Sequence, residues 1–305
     1  MAKRLIITVD TELSNFPNAQ GLWGRVGGEE WGLARVIDEF DSLGVRGTFF
    51  LDVYAGKPAD IAEVERAARL IHTRGHDLQL HTHPAPAFDA AREQLRDYDL
   101  AQQEQIIEFG VRRIEQWTGV RPVLHRAGDW AADHRSIEAL RHQGFRADFS
   151  ASPWSPSCGL EPAAIRGNGW KHIDGLLCGV GTCYLDRLTG RTRRVDLGGT
   201  SFAEATDILS RGIEPLFLTL HSFSFVRYDR TRTRFEPDTE YVELLRRFCT
   251  LARQKWGYRT VTALEAVSEL QSEAPASLPW APLPVTHAWS SCAGLVKSVR
   301  ERLHA

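Results

Sequence analysis

Residues 75–84 read Gly-His-Asp-Leu-Gln-Leu-His-Thr-His-Pro, a run opened by glycine and ended by proline. Its alternation predicts a buried strand, because side chains at i and i+2 leave an extended backbone on one face. His81 and His83 then project side by side at the C-terminal end, while Leu78, Leu80 and Thr82 face the other way. Two neutral imidazoles on one side of a rigid strand are a start on a Zn²⁺ or related divalent site. Alone, such a pair is more often a surface coincidence, so the reading depends on the flanking segments.

Toward the N-terminus, residues 4–12 form a β-branched strand with Thr8, Asp10 and Glu12 on one face. A Gly- and Asn-rich loop over 13–30 carries Trp23. Leu33, Val36, Ile37 and Phe40 have helical spacing in 31–43, and Gly44 ends that helix. Residues 48–53 read as a strand and 59–74 as an amphipathic helix. Beyond the histidines come a helix over 98–118, a strand ending in His125-Arg126, a helix over 134–143 and a strand over 145–150. From 151 to 200 the pattern weakens to irregular connections with short strands. Helix 202–210, strand 215–221, helix 238–256, strand 259–261 and helix 263–270 follow. Strands alternating with helices imply an α/β architecture. About seven strand–helix units favour a distorted or incomplete (β/α)7 barrel over a doubly wound sheet. In such barrels active groups sit at the C-terminal strand ends, and Asp10, Glu12, His81, His83, Arg126 and His221 all end strands. By strand parity His76 and His125 face away and read as structural.

Bulk properties narrow the classes. The chain has 305 residues, 43% of them hydrophobic, and a formal charge of −2, with pI ≈ 6.6. No basic excess points to nucleic acid or a membrane surface. There is no apolar run of spanning length and no signal-peptide pattern, so a soluble, cytoplasmic protein is expected. Five cysteines, an odd number at spacings that match no zinc ribbon or redox pair, read as free thiols. Residues 1–270 are read as the catalytic barrel. Residues 271–305, a Pro-rich extended segment with a helix near 291–302, are read as a tail that straps the barrel or contacts another chain.

Four motifs, Thr-Val-Asp-Thr-Glu (8–12), His-Thr-His-Pro (81–84), His-Arg-Ala-Gly (125–128) and Leu-Thr-Leu-His (218–221), in this order resemble the polysaccharide deacetylases, the NodB-homology enzymes of carbohydrate esterase family four. The resemblance spans about residues 4–270. It implies an incomplete (β/α) barrel and a divalent metal, Zn or alternatively Co, Ni or Mn, held by one carboxylate and two histidines. Asp10 falls on the general base, Glu12 on the metal carboxylate, His81 and His83 on the metal histidines, Arg126 on the arginine that pairs with the base, and His221 on the general acid. Asp148 falls in a supporting position. The family has two adjacent Asp residues where this chain has Asp10-Thr11-Glu12, and spaces its histidines by four where this chain spaces them by two. Trp23, Trp130 and Trp154 lie in segments expected to ring the site, where aromatic faces stack on sugars or simply pack. The implied reaction is hydrolysis of the N-acetyl group of a sugar; the expected cytoplasmic location then points to a precursor in surface polysaccharide synthesis as the substrate. Two rivals stand beside it: another amide hydrolase on the same barrel, metal-free in one form, and a carbohydrate-binding protein with a degenerate site.

Overall fold

The first strand, β1 (Lys3–Thr11), organises the molecule, which a computed structural model describes for residues 3–14, 16–273 and 277–304. Leu5, Ile7 and Val9 point to the helices and Ile6, Thr8 and Asp10 to the inside, and all are buried. A strand covered on both faces is what a parallel sheet demands. After β1 come α1 (Leu33–Leu43), β2 (Thr48–Asp52), α2 (Pro58–Thr73), β3 (Asp77–Thr82), α3 (Leu100–Thr118), β4 (Leu124–Ala127), α4 (His134–His142) and β5 (Ala147–Asp148). The chain continues with β6 (Asn168–Ile173), β7 (Leu176–Val180), α5 (Phe202–Ser210), β8 (Leu216–His221), α6 (Thr239–Gln254), β9 (Tyr258–Val261) and α7 (Ala263–Glu273). Last come β10 (Trp280–Ala281) and α8 (Ala288–His304).

The helix ends follow local chemistry. Asp99 caps α3 at the Gln102 amide and Ser201 caps α5 at Glu204. Gly44 closes α1 at φ +62°, a conformation glycine adopts without strain.

One ten-stranded sheet runs β8-β1-β2-β3-β4-β5-β7-β6-β10, with β9 also on β1. From β8 to β7 the neighbours are parallel. The curled sheet is an incomplete barrel: among the described residues β7 and β8 share no ladder, and side chains bridge the seam. The Phe217 amide donates to the Thr182 hydroxyl at 2.7 Å, and Phe217 packs on Trp170 and Phe149 at 5.5 and 5.8 Å. These rings join Ile6, Phe50 and Leu124 as an apolar plug inside the barrel, and α7 closes it from below with Ala266, Val267 and Leu270. The larger core lies between the sheet and the helices.

The stretch expected to hold irregular connections and short strands is more ordered than its pattern suggests. Residues 168–180 form an antiparallel hairpin, β6–β7, that extends the main sheet. Gly169, at φ +118°, sits where a Cβ would meet the Pro279 carbonyl at 2.2 Å, so the tail strand β10 can lie on β6. The tail then packs on its own chain. Asp207 of α5 accepts the His287 amide at 2.6 Å and the Ser290 hydroxyl at 2.8 Å. Gly294 lets α8 press onto the buried Glu204 carboxylate. Residues 274–276 and 305 of the expected tail, and Met1 and Ala2 at the start, lie outside the described residues. The five cysteines are free. No helix among the described residues is long and apolar enough to cross a membrane.

Candidate active site

Register explains how distant residues meet. Asp10 pairs with His221 across β1–β8, Asp52 with His81 across β2–β3, and His81 with Arg126 across β3–β4. Neighbouring residues in a parallel ladder share a face, so the C-terminal strand ends present these groups into one hollow.

Glu12, His81 and His83 offer one donor atom each, all within 4.8 Å of one another. Glu12 Oε2 lies 2.7 Å from His83 Nε2 and 3.7 Å from His81 Nε2. His81 Nδ1 donates to the Arg126 carbonyl at 2.8 Å. That bond fixes the tautomer and leaves Nε2 as a lone pair aimed at the shared point. A buried carboxylate with two imidazoles oriented in this way fits a divalent cation of the Zn, Co or Ni type. The electrostatics agree. Burial alone would raise Glu12, but hydrogen bonds and charge from His81 and His83 hold it well below the usual carboxylate range. Burial alone would lower His83, but the Glu12 contact, with Asp52 and Asp129 nearby, pushes it up to about 10. The hollow therefore favours positive charge where a metal would sit.

Asp10 lies one step down the barrel. Arg126 donates to it at 2.5 Å, to the Thr8 hydroxyl at 3.0 Å and to the Phe149 carbonyl at 3.3 Å, with its guanidinium 4.4 Å over Phe50. Burial pushes Asp10 up, but Arg126 first, then His81 and His221, pull it below the ordinary value. His221 is half-buried, its ring stacked 5.0 Å from Phe223.

Asp148 is fully buried and acts at one remove. It accepts His125 Nδ1 at 2.8 Å and the Ser150 hydroxyl at 2.8 Å, and Ser150 in turn accepts the Ala127 amide at 2.8 Å. It thus braces the strand end that carries Arg126. His125 completes that network against Thr82, on the side away from the hollow.

The tryptophans divide. Trp130 and Trp154 meet edge to face at 4.7 Å, with Trp130 5.7 Å from the Arg126 guanidinium and Arg194 over both rings at 5.1 and 4.9 Å. Asp129 and Trp130 take φ of +54° and +57°, left-handed values that cost about 1–3 kcal/mol each and turn Trp130 toward Arg126. Trp23 does not ring the site. It ends a short helix, Gln20–Trp23, is fully buried, and its ring lies 3.7 Å beneath Arg66. A Gly-rich stretch read as loop hides this turn and its core contact.

Two features escaped the sequence reading. Asp52 closes β2 within electrostatic reach of both histidines; burial pushes it above its usual value, while His83 and His81 pull it back. The acid at the end of Thr48–Asp52 was the available signal. The other is Gly128, where a Cβ would stand 2.3 Å from the His83 ring. Gly128→Ala should therefore displace His83. A loss of about 10–100-fold in divalent-ion affinity, the scale of a disturbed ligand shell, is expected by calorimetric titration, with the melting temperature of the metal-free protein little changed.

No family model matches the chain, and no curated protein matches it. Solved structures do. A Mycobacterium smegmatis protein assigned as a polysaccharide deacetylase superposes with a TM-score of 0.58 at 18% identity, covering 94% of this chain and 95% of that one. The Puue allantoinase superposes with a TM-score of 0.57 at 13% identity, covering 90% and 92%. Identities this low speak for fold alone: the chain shares the fold of these two proteins, an incomplete (β/α) barrel.

Proposed function

We propose that this chain is a metal-dependent hydrolase that removes the acetyl group from the nitrogen of a sugar. One observation carries the reading. The Asp10–Arg126 pair and the Glu12/His81/His83 cluster face the same hollow, and His221 stands on the strand next to Asp10.

Glu12, His81 and His83 would hold the cation, Zn²⁺ in the first instance. When bound, it would polarise the amide carbonyl and stabilise charge developing on that oxygen. Asp10, kept ionised by Arg126, takes a proton from the attacking water. His221 gives a proton to the departing nitrogen, which as an amide anion is too poor a leaving group to go unprotonated. Trp130 and Trp154 offer apolar faces beside Arg126 for the sugar or its acyl group. Residues 1–270 carry these parts and 271–305 serve as an accessory tail. The reading extends to a cytoplasmic substrate, a lipid- or nucleotide-linked precursor of a surface polysaccharide, which fractionation of cells expressing the tagged chain would check.

His221→Ala is expected to lower acetate release by about 10²-fold or more with metal content unchanged. A protein with a degenerate, binding-only site would show no acetate release for the substitution to remove. The allantoinase likeness, nearly equal in TM-score, favours a second reading as hydrolase of another linear or ring amide. Metal analysis of the purified chain separates the metal-free form of that reading: absence of a stoichiometric divalent ion would favour it.

A further inference from the structure

We infer that the hairpin following His221 is an anion-binding arm of this site, taking a phosphate group on an N-acetylated saccharide. The scissile end of that substrate rests on the deacetylase reading; the anion does not.

The arm is Val226–Tyr228 paired antiparallel with Phe235–Pro237. Rings tie it to the site. His221 stacks on Phe223, and Phe223 meets Phe16 at 5.0 Å. Phe16 contacts Tyr228 at 4.8 Å and Phe235 at 6.0 Å, and the Arg232 guanidinium lies 4.6 Å over Phe16. Arg232 is thus a few ring contacts from the proposed acid.

The arm is short of negative partners. Residues 227–236 hold Arg227, Arg230, Arg232 and Arg234 against Asp229 and Glu236. Arg227 is engaged by Asp238 at 3.0 Å and Glu240 at 3.1 Å, and Glu236 stands opposite it in register. Asp229 is spent on the turn, accepting the Thr233 and Arg234 amides at 2.8 and 2.9 Å and both nearby threonine hydroxyls. Arg230, Arg232 and Arg234 make no ion pair among the described residues. Elsewhere on the surface some arginines pair, as Arg66 with Glu30, Arg69 with Glu65, Arg74 with Asp38 and Asp41, and Arg246 with Glu39, while Arg141, Arg166, Arg187 and Arg191 make no ion pair among the described residues; the arm stands apart in holding three such arginines within five residues. In a chain of net charge −2, three unanswered guanidinium forks gather on one ordered turn beside the hollow.

Guanidinium forks match phosphate oxygens in pairs, and three of them offer more donors than one carboxylate can accept. Tyr228, 43% exposed, presents a ring face on which a sugar can stack. With the amide held at Glu12, His81 and His83, the arm would grip a phosphate, phosphodiester or pyrophosphate farther along the same molecule.

The test uses the full metal-loaded chain with three probes: N-acetylglucosamine 1-phosphate, UDP-N-acetylglucosamine and an uncharged N-acetylchitooligosaccharide. A phosphorylated probe should be favoured by about tenfold or more in kcat/KM, mainly through KM. In R230S/R232S/R234S, and to a lesser extent in R230S/R234S, which spares the Phe16 contact, that ratio should fall toward one. Equal kcat/KM in the parent chain, or a preference that survives the substitutions, overturns the arm. Calorimetric binding of UDP-N-acetylglucosamine needs no turnover. Binding that the triple variant loses, in a chain that hydrolyses none of the probes, would sink the deacetylase reading and keep the arm. Binding that is absent, or equal in both proteins, overturns the arm. So does binding to phosphatidylglycerol vesicles without binding to either sugar phosphate, which would make the hairpin a membrane contact.

Discussion

Asparagine at position 10 is expected to cut acetate release from an N-acetylated sugar by about 10³-fold, within the range for removing a general base. The substitution keeps the side chain's shape and removes its charge and proton affinity. Arg126 would remain seated on Thr8, Phe149 and Phe50, so the pocket should hold its form. Leaving a buried guanidinium without its anion still costs about 3–5 kcal/mol, and a drop in melting temperature should accompany the kinetic loss. Two readouts separate the effects. Divalent-ion content should stay near that of the parent chain, because Asp10 is outside the Glu12/His81/His83 set. The rate should stay low at temperatures where circular dichroism shows the variant fully folded. Unimpaired acetate release would remove Asp10 from the role of base.

Alanine at His81 is expected to abolish stoichiometric metal binding. His81 is the proposed ligand whose orientation is fixed from behind, by its bond to the Arg126 carbonyl. Its loss should cost well over the roughly 100-fold that a disturbed supporting shell costs. Binding to the native state alone stabilises by RT ln(1 + [L]/Kd), about 2.7 kcal/mol at a hundredfold excess over Kd. The parent chain should therefore melt several degrees higher with Zn²⁺ than after chelation, and His81→Ala should melt at one temperature in both. An equal rise in the two proteins would mean that the ion binds elsewhere.

Much of the fold could be read because parallel strands covered on both faces leave an unmistakable record. Leu5-Ile6-Ile7-Thr8-Val9 and Leu216-Phe217-Leu218-Thr219-Leu220 are near-continuous apolar runs, and each ends on the polar group it delivers. Between them, helix ends marked by Gly44 and Asp99 fell within a residue or two of expectation. Reading failed where local pattern and tertiary role diverge. Asn168-Gly-Trp-Lys-His-Ile173 has little strand character, and it joins the sheet because β7 and the tail pair with it on either side. Trp23 takes the packing alternative rather than ringing the hollow, because sequence cannot say whether a tryptophan in a Gly-rich stretch faces solvent or core. At the site, strand parity brought His81 and His83 together on paper. It could not show that Gly128, distant in sequence, must lack a side chain for His83 to sit there. Asp52 was passed over because a lone acid at a strand end has no partner until register supplies His81.

The central place of β1 has a consequence for how the molecule comes into being. β1 can complete its ladder only with segments far along the chain: Thr8 meets Leu218 and Glu12 meets Ser222, each 210 residues onward. Contacts so far apart along the chain are slow to form and leave strand edges exposed while they wait. Because Asp10 and His221 are register partners across that long-range junction, a chain in which it has not closed would hold only half of the proposed acid–base pair.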